Sequence, residues 1–296
     1  MMTLTRELIL NCRLVGGEIF KYSTFASCNN QIRDIEGYIS KRRLHNQHEE
    51  KVLKDLHSLV HYQFPLNYSG FNIPSLLRYA RIFGSEKIDL ILTRSTGLSL
   101  PEFFFFSIHI AGGLMHSPYV MATQDLSEFG IDAEKGKHFF SKMSRSVQNL
   151  REQLRAEQKY DDNWQYTYNA LSGTPFVWLD DTHPEQLYCP IPSLLWHRIG
   201  PGLFYDLSNE PHFGNAYGVA FEEHVGEFLH AVLPADKFEI IAETEYKLGK
   251  KFLKHGMDWI VNDKGATLFI ECKAKRMRLE AKMLDSEVAL DDQLSM

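Results

Sequence analysis

Residues 256–275 read GMDWIVNDKGATLFIECKAK, and the reading of this stretch decides the fold of the C-terminal third. Two apolar runs, Trp259-Ile260-Val261 and Leu268-Phe269-Ile270, flank Asp263-Lys264-Gly265, a tight-turn signal between strand-like segments. They predict an antiparallel hairpin. With a four-residue loop from Asp263 to Ala266, Asn262 pairs with Thr267, and counting back sets Asp258 opposite Glu271. A two-residue loop at Asp263 and Lys264 also keeps both carboxylates on one face, whereas an odd loop needs a bulge to do so. Thr267, Phe269, Glu271 and Lys273 then share one face, and Leu268, Ile270, Cys272 and Ala274 form the core-facing stripe. Two carboxylates in so apolar a strand pair repel one another at a cost of several kcal/mol unless a proton or a cation relieves them, and a hard divalent ion does this well.

Working outward, 217–233 reads as an amphipathic helix ended by Pro234, 238–246 as a strand, 257–262 and 267–274 as the hairpin strands, and 276–290 as a further helix. This order predicts an α+β unit around a small mixed sheet. At about 100° per residue, Val225, Phe228, Leu229, Val232 and Leu233 form one apolar arc of the first helix. Glu222 falls inside that arc, while Glu223 and Glu227 point away, so Glu222 is the expected inward carboxylate.

GMDWIV, a short hairpin and then LFIECKAK resemble the PD-(D/E)xK, or restriction-endonuclease-like, nuclease superfamily, and FEEHV at 221–225 is similar to its preceding helix. The resemblance covers roughly 217–290. It implies a restriction-endonuclease-like α/β domain in which Asp258 and Glu271 ligate Mg²⁺ or Mn²⁺ and Lys273 positions and activates the attacking water. Glu222 and the backbone carbonyl of Cys272 would complete the metal shell. The implied activity is metal-dependent phosphodiester hydrolysis by an endonuclease, on DNA in preference to RNA, in a setting such as restriction or anti-phage defence. Met257 stands where the superfamily often has proline. The residues from Lys273 to Met296 suffice for one more helix but hardly for a closing strand, which suggests a minimal fold or a piece of a longer chain. The rival expectation is a non-catalytic interaction or scaffold protein built on a degenerate nuclease fold.

The rest of the chain reads as a mainly helical domain, 1–205, joined to the nuclease-like domain, 206–296, through the Gly- and Pro-punctuated segment 200–218. Its aromatics suggest a packed connector. Apolar residues recur at helical spacing at Ile32, Ile35 and Ile39, at Val52 to Val60, and from Phe139 to Leu154, and Pro74 suits the start of a short helix through Phe83. The run from Phe103 to Met115 is too short for a bilayer span of ~20 residues and reads as a buried helix. Four cysteines without a CxxC pair suit a reducing compartment, and the N-terminus lacks a secretory pattern, so a cytoplasmic protein is expected. The net charge of −6 hides a basic stretch between Lys247 and Lys282, with ten Lys and Arg against four acids. Such a local surface suits a polyanion, here nucleic acid. A protein partner is expected through the helical domain.

Other groups carry less. His57 and His61, with His45 and His48 nearby, have a helical metal-pair spacing without the zinc-protease glutamate. RSTGLS at 94–99 reads as a loop lacking a nucleophile elbow. Arg145, Arg151 and Arg155 are accompanied by acids, as on a solvated face. His224 and His255 are bystanders by default.

Overall fold

The computed structural model describes residues 2–13, 21–45, 73–248 and 252–274. In chain order its early helices are α1 (Met2–Asn11), α2 (Tyr22–His45), α3 (Ile73–Phe83), α4 (Glu86–Thr96) and α5 (Leu100–Gly113). There follow β1 (Tyr119–Met121), α6 (Ala133–Met143), β2 (Ser144–Ser146), α7 (Val147–Glu157), β3 (Phe176–Trp178) and β4 (Gln186–Tyr188). Helices α8 (Pro192–Ile199), α9 (Gly202–Leu207) and α10 (Phe213–Val232) lead into β5 (Glu239–Ala242). The chain is α+β with a helical N-terminal region, and it divides into two compact units. The second unit is discontinuous: Ile73–Ser95 joins Phe204–Arg276, so division at 205 describes only one of the chain's passages between units. Segments 52–61, with His57 and His61, and 276–290 lie outside the described residues, as does His48.

In the first unit, α1 is held by Arg6, whose buried guanidinium donates to the carbonyls of Trp164 and Thr167 at 2.8 and 3.0 Å. A buried cation needs such partners. Helix α5 starts where Ser99 donates both its N–H and its hydroxyl to Glu102, a capping contact, so RSTGLS closes one helix and opens the next instead of forming a loop. Phe103 and Phe106 of α5 are buried against Phe139 and Phe140, at centroid separations of 4.8–5.6 Å.

The helical period from Phe139 to Leu154 breaks at β2. The Ser144 hydroxyl donates to the Phe140 carbonyl, and Ser146 accepts the Asn149 N–H, so the serines end one helix and cap the next. Strand β2 pairs parallel with β3 in a mixed sheet of order β1-β4-β3-β2. The mixed sheet therefore lies in the N-terminal unit, which was expected to be mainly helical with the mixed sheet in the C-terminal part; its three-residue strands are too short to show alternation. Arg151 donates to the carbonyls of Ile9 and Cys12 at 2.7 and 2.6 Å, which gives it a structural task between α7 and α1. Among the described residues no helix is long and apolar enough to cross a membrane.

In the second unit, α10 packs on α3, and Arg81 of α3 bonds Glu227 of α10 at 2.6 Å. Phe83, Phe204, Phe213 and Tyr217 pack ring on ring at 4.7–5.6 Å, so the segment 200–218 is a packed, largely helical connector.

Beyond β5 come β6 (Glu245–Leu248), β7 (Phe252–His255), β8 (Trp259–Asn262) and β9 (Thr267–Ile270). Strands β5, β8 and β9 form a sheet in the order β5-β8-β9 that is antiparallel throughout, not mixed. The strand expected over 238–246 is interrupted at Glu243 and Thr244, and β6 pairs with β7 in a separate hairpin. The Thr244 carbonyl accepts the Gly256 N–H at 3.2 Å across the neck of that hairpin.

The register of β8 and β9 pairs Asn262 with Thr267 and Trp259 with Ile270, the arrangement of a four-residue loop. Asp263 closes the turn: its N–H donates to the Ala266 carbonyl, and Oδ1 accepts the N–H groups of Gly265 and Ala266. The ladder stops at Ile270, short of the expected Ala274. Leu268 is 59 % exposed and Phe269 61 %, so Leu268 is not core-facing. The cause is position, since β9 is the edge strand and has a neighbour on one side only among the described residues.

Candidate active site

The site is organised by a contact between α10 and β8. The Trp259 ring lies against Gly226 so closely that a Cβ there would stand 2.0 Å from Cζ2, and the indole Nε1 donates to the Glu222 carbonyl at 3.1 Å. Glu222 and Gly226 are one helical turn apart on one face. The indole thus fixes both the rotation and the height of α10 over β8. His230, one further turn along, meets the Trp259 ring edge-on at 6.1 Å.

This contact turns Glu222 toward the sheet, where it is half-buried, while Glu223 and Glu227 are exposed. The apolar arc is not fully covered: Phe228 is 59 % and Val232 52 % exposed. The helix leans on the line through Glu222 and Gly226 instead, because the glycine admits the closest approach.

Asp258 directly precedes β8. Its Oδ2 accepts the N–H of Cys272, so the carboxylate bridges to the segment that follows β9. That segment carries Glu271 and Lys273, whose Nζ and Oε1 are 3.8 Å apart in an exposed pair. Cys272 touches Asp258 through its N–H, whereas the resemblance implies a role for its carbonyl.

Glu243 is the acidic neighbour that sequence reasoning missed. Glu243 directly follows Ala242, the partner of Trp259, as Asp258 directly precedes Trp259 and Glu271 directly follows Ile270, so the three carboxylates flank the same end of the sheet. Register alone could have found it, had β5 been known to end at Ala242.

Electrostatics agree with this proximity. Burial raises the Glu222 pKa above its ordinary value, and the charges of Asp258, Glu243 and Glu223 raise it further. The Cys272 thiol is pushed up to about 11, first by burial and then by Asp258 and Glu222, so it stays protonated at neutral pH. On α10, His224 has a buried Nδ1 without a hydrogen-bond partner and a pKa lowered by burial; the charges that act on it are Glu227, Arg81 and Arg78, not the carboxylates of the site. The backbone of His255 ends β7. Among the described residues no group of three or more His, Cys, Asp or Glu is placed so that it could hold a metal ion.

The sign of the Glu222 shift gives a testable result. A carboxyl whose folded pKa is raised binds its proton more tightly in the folded state, so stability falls as pH rises from the unfolded value through the folded one. Glu222→Gln is therefore expected to raise the melting temperature at neutral pH and to leave it unchanged in acid, below the unfolded value. Thermal melts of both proteins across that range check this, and an equal difference at every pH would count against it.

Comparison with protein-family models, with curated proteins and with solved structures finds no match to this chain.

Proposed function

We propose that the second unit is a metal-dependent nuclease that hydrolyses phosphodiester bonds, in DNA in preference to RNA, with Asp258, Glu271 and Lys273 as its catalytic centre. The observation that carries this reading is the proximity of Glu222 on α10 to Asp258 before β8, and the bond from Asp258 to the segment after β9 that carries Glu271 and Lys273. These groups come from three separate elements, and packing needs none of them charged.

Glu222, Asp258 and Glu271 are the residues that would hold Mg²⁺ or Mn²⁺: each offers hard oxygens, and a divalent cation relieves both the burial and the neighbouring charges that raise Glu222, although the three are not set as a ready-made metal shell in this structure. When bound, the ion supplies Lewis acidity at the scissile phosphate and lowers the pKa of a water. The protein's own part is orientation. The Cys272 N–H fixes the Asp258 carboxylate, Trp259 holds the α10 backbone at Glu222, and the Lys273 ammonium, 73 % exposed, donates to the attacking water and to phosphate oxygens. The first unit would select target or trigger, as helical modules do in nucleases of restriction and anti-phage defence.

The test is incubation of the full chain with supercoiled plasmid, single-stranded DNA and RNA, each with Mg²⁺, with Mn²⁺ or with EDTA. Cleavage with either metal, abolished by EDTA and restored by excess Mn²⁺, is expected. Cleavage indifferent to EDTA overturns the mechanism, and no cleavage of any substrate favours a non-catalytic scaffold.

A further inference from the structure

We infer that Phe269 is a stacking platform for an unpaired nucleobase, and that the substrate class of this site is single-stranded nucleic acid. The inference rests on the nuclease reading and concerns what that site takes.

By strand parity Phe269 shares a face with Thr267 and, through its pairing with Ile260, with Asn262; Glu271 and Lys273 follow just beyond the strand's end at Ile270. One exposed phenylalanine is unremarkable on a protein surface. This one is 61 % exposed at the middle of a four-residue strand, and among the described residues it makes no ring pair. It stands two residues before Glu271, which follows the end of the strand, so the two are at most about 7 Å apart along the backbone. A stacked nucleic-acid strand advances ~3.4 Å per nucleotide. A base lying on Phe269 and a phosphate at Glu271 therefore belong to nucleotides about two steps apart on one strand.

Charge along the hairpin suits that path. Lys264 in the turn and Lys273 beyond the strand are both exposed, at opposite ends of the Phe269 face. The acids beside these lysines are engaged: Asp263 accepts the Gly265 and Ala266 N–H groups, and Glu271 faces Lys273. A phosphodiester backbone thus meets cations on either side of an aromatic face, the combination that binds single strands without sequence preference. A base inside a duplex is stacked on both sides and offers Phe269 no free face, which favours the unpaired strand.

The experiment is fluorescence anisotropy of the full chain with a labelled oligothymidylate and, separately, with a labelled blunt duplex, in EDTA so that binding is read without turnover. The wild type is expected to bind the single strand more tightly. Phe269→Ala should weaken that binding about tenfold, within the range for loss of one stacked base, and leave duplex binding unchanged, while Phe269→Trp should restore it. Because Phe269 is exposed, its melting temperature should not move in either variant. Equal weakening on both probes, no weakening on either, or a failure of the wild type to bind the single strand overturns the inference. So does a change of oligomeric state by light scattering without a change in affinity, since the face then belongs to a second copy. Tight, Phe269-dependent binding without metal-dependent cleavage leaves the platform standing and removes the nuclease reading; cleavage indifferent to Phe269→Ala does the reverse.

Discussion

Replacing Gly226 with alanine is expected to destabilise the second unit by roughly 1–2 kcal/mol, although alanine is the better helix former. The new Cβ would stand 2.0 Å from Cζ2 and 2.3 Å from Cη2 of Trp259, inside any tolerable contact distance. The indole cannot swing away without losing the hydrogen bond from Nε1 to the Glu222 carbonyl. Helix α10 cannot lift without exposing the ring it covers. Overpacking of this kind typically costs ~1–3 kcal/mol, against about 1 kcal/mol gained in helix propensity. The contact itself is isolated by a double-mutant cycle with Trp259→Ala. In that background Gly226→Ala should become neutral or stabilising, because the clashing ring is gone and only propensity remains. Urea titrations of the four proteins read the difference, and the same loss in both backgrounds would show that the two residues do not meet.

The hairpin was legible because its signal is local. Apolar runs on both sides of Asp263-Lys264-Gly265 leave few registers, and the one observed, with Asn262 opposite Thr267, is the register of the four-residue loop. Glu222 was legible for a similar reason, since helical angle separates it from Glu223 and Glu227 before any partner is known, and Arg81 does take Glu227 on the other side.

What was not legible depends on partners distant in sequence. Nothing near Ile73–Phe83 announces that this helix packs with α10, more than a hundred positions later. A glycine inside a helix reads as a weak spot until the facing residue is known to be Trp259, and then it becomes the point of closest approach. The hairpin of β6 and β7 has four-residue strands, too short for alternation to separate them from a continuation of β5, and this hid the end of β5 at Ala242, next to Glu243. The exposure of Leu268 has the same origin, because an apolar residue at core parity is buried only if something covers that end of the strand.

Asp258→Asn and Lys273→Ala are expected to remove cleavage while leaving the fold intact, and the choice of substitutions follows from what each residue touches. Asp258 accepts the Cys272 N–H through Oδ2; asparagine keeps an acceptor oxygen of the same shape, so the link between β8 and the segment after β9 survives while the charge is lost. Alanine at 258 would break that link and confuse catalysis with folding. Among the described residues Lys273 makes only an exposed pair with Glu271 at 3.8 Å, and such pairs contribute at most ~1 kcal/mol, so alanine there should melt with the wild type. Activity should respond on another scale. Loss of a positioned group that activates water costs about 10²–10⁴-fold in rate. A metal-binding carboxylate should cost at least the ~10–100-fold that outer-shell partners are worth. Initial rates of plasmid relaxation across a Mn²⁺ series separate the two roles. Asp258→Asn should shift the metal concentration needed for half-maximal rate upward, whereas Lys273→Ala should lower the plateau at an unchanged metal requirement. If both variants cleave at the wild-type rate, the acidic cluster is not the catalytic centre. If both lose activity and also melt early, Asp258 and Lys273 hold the sheet together and the chemistry lies elsewhere.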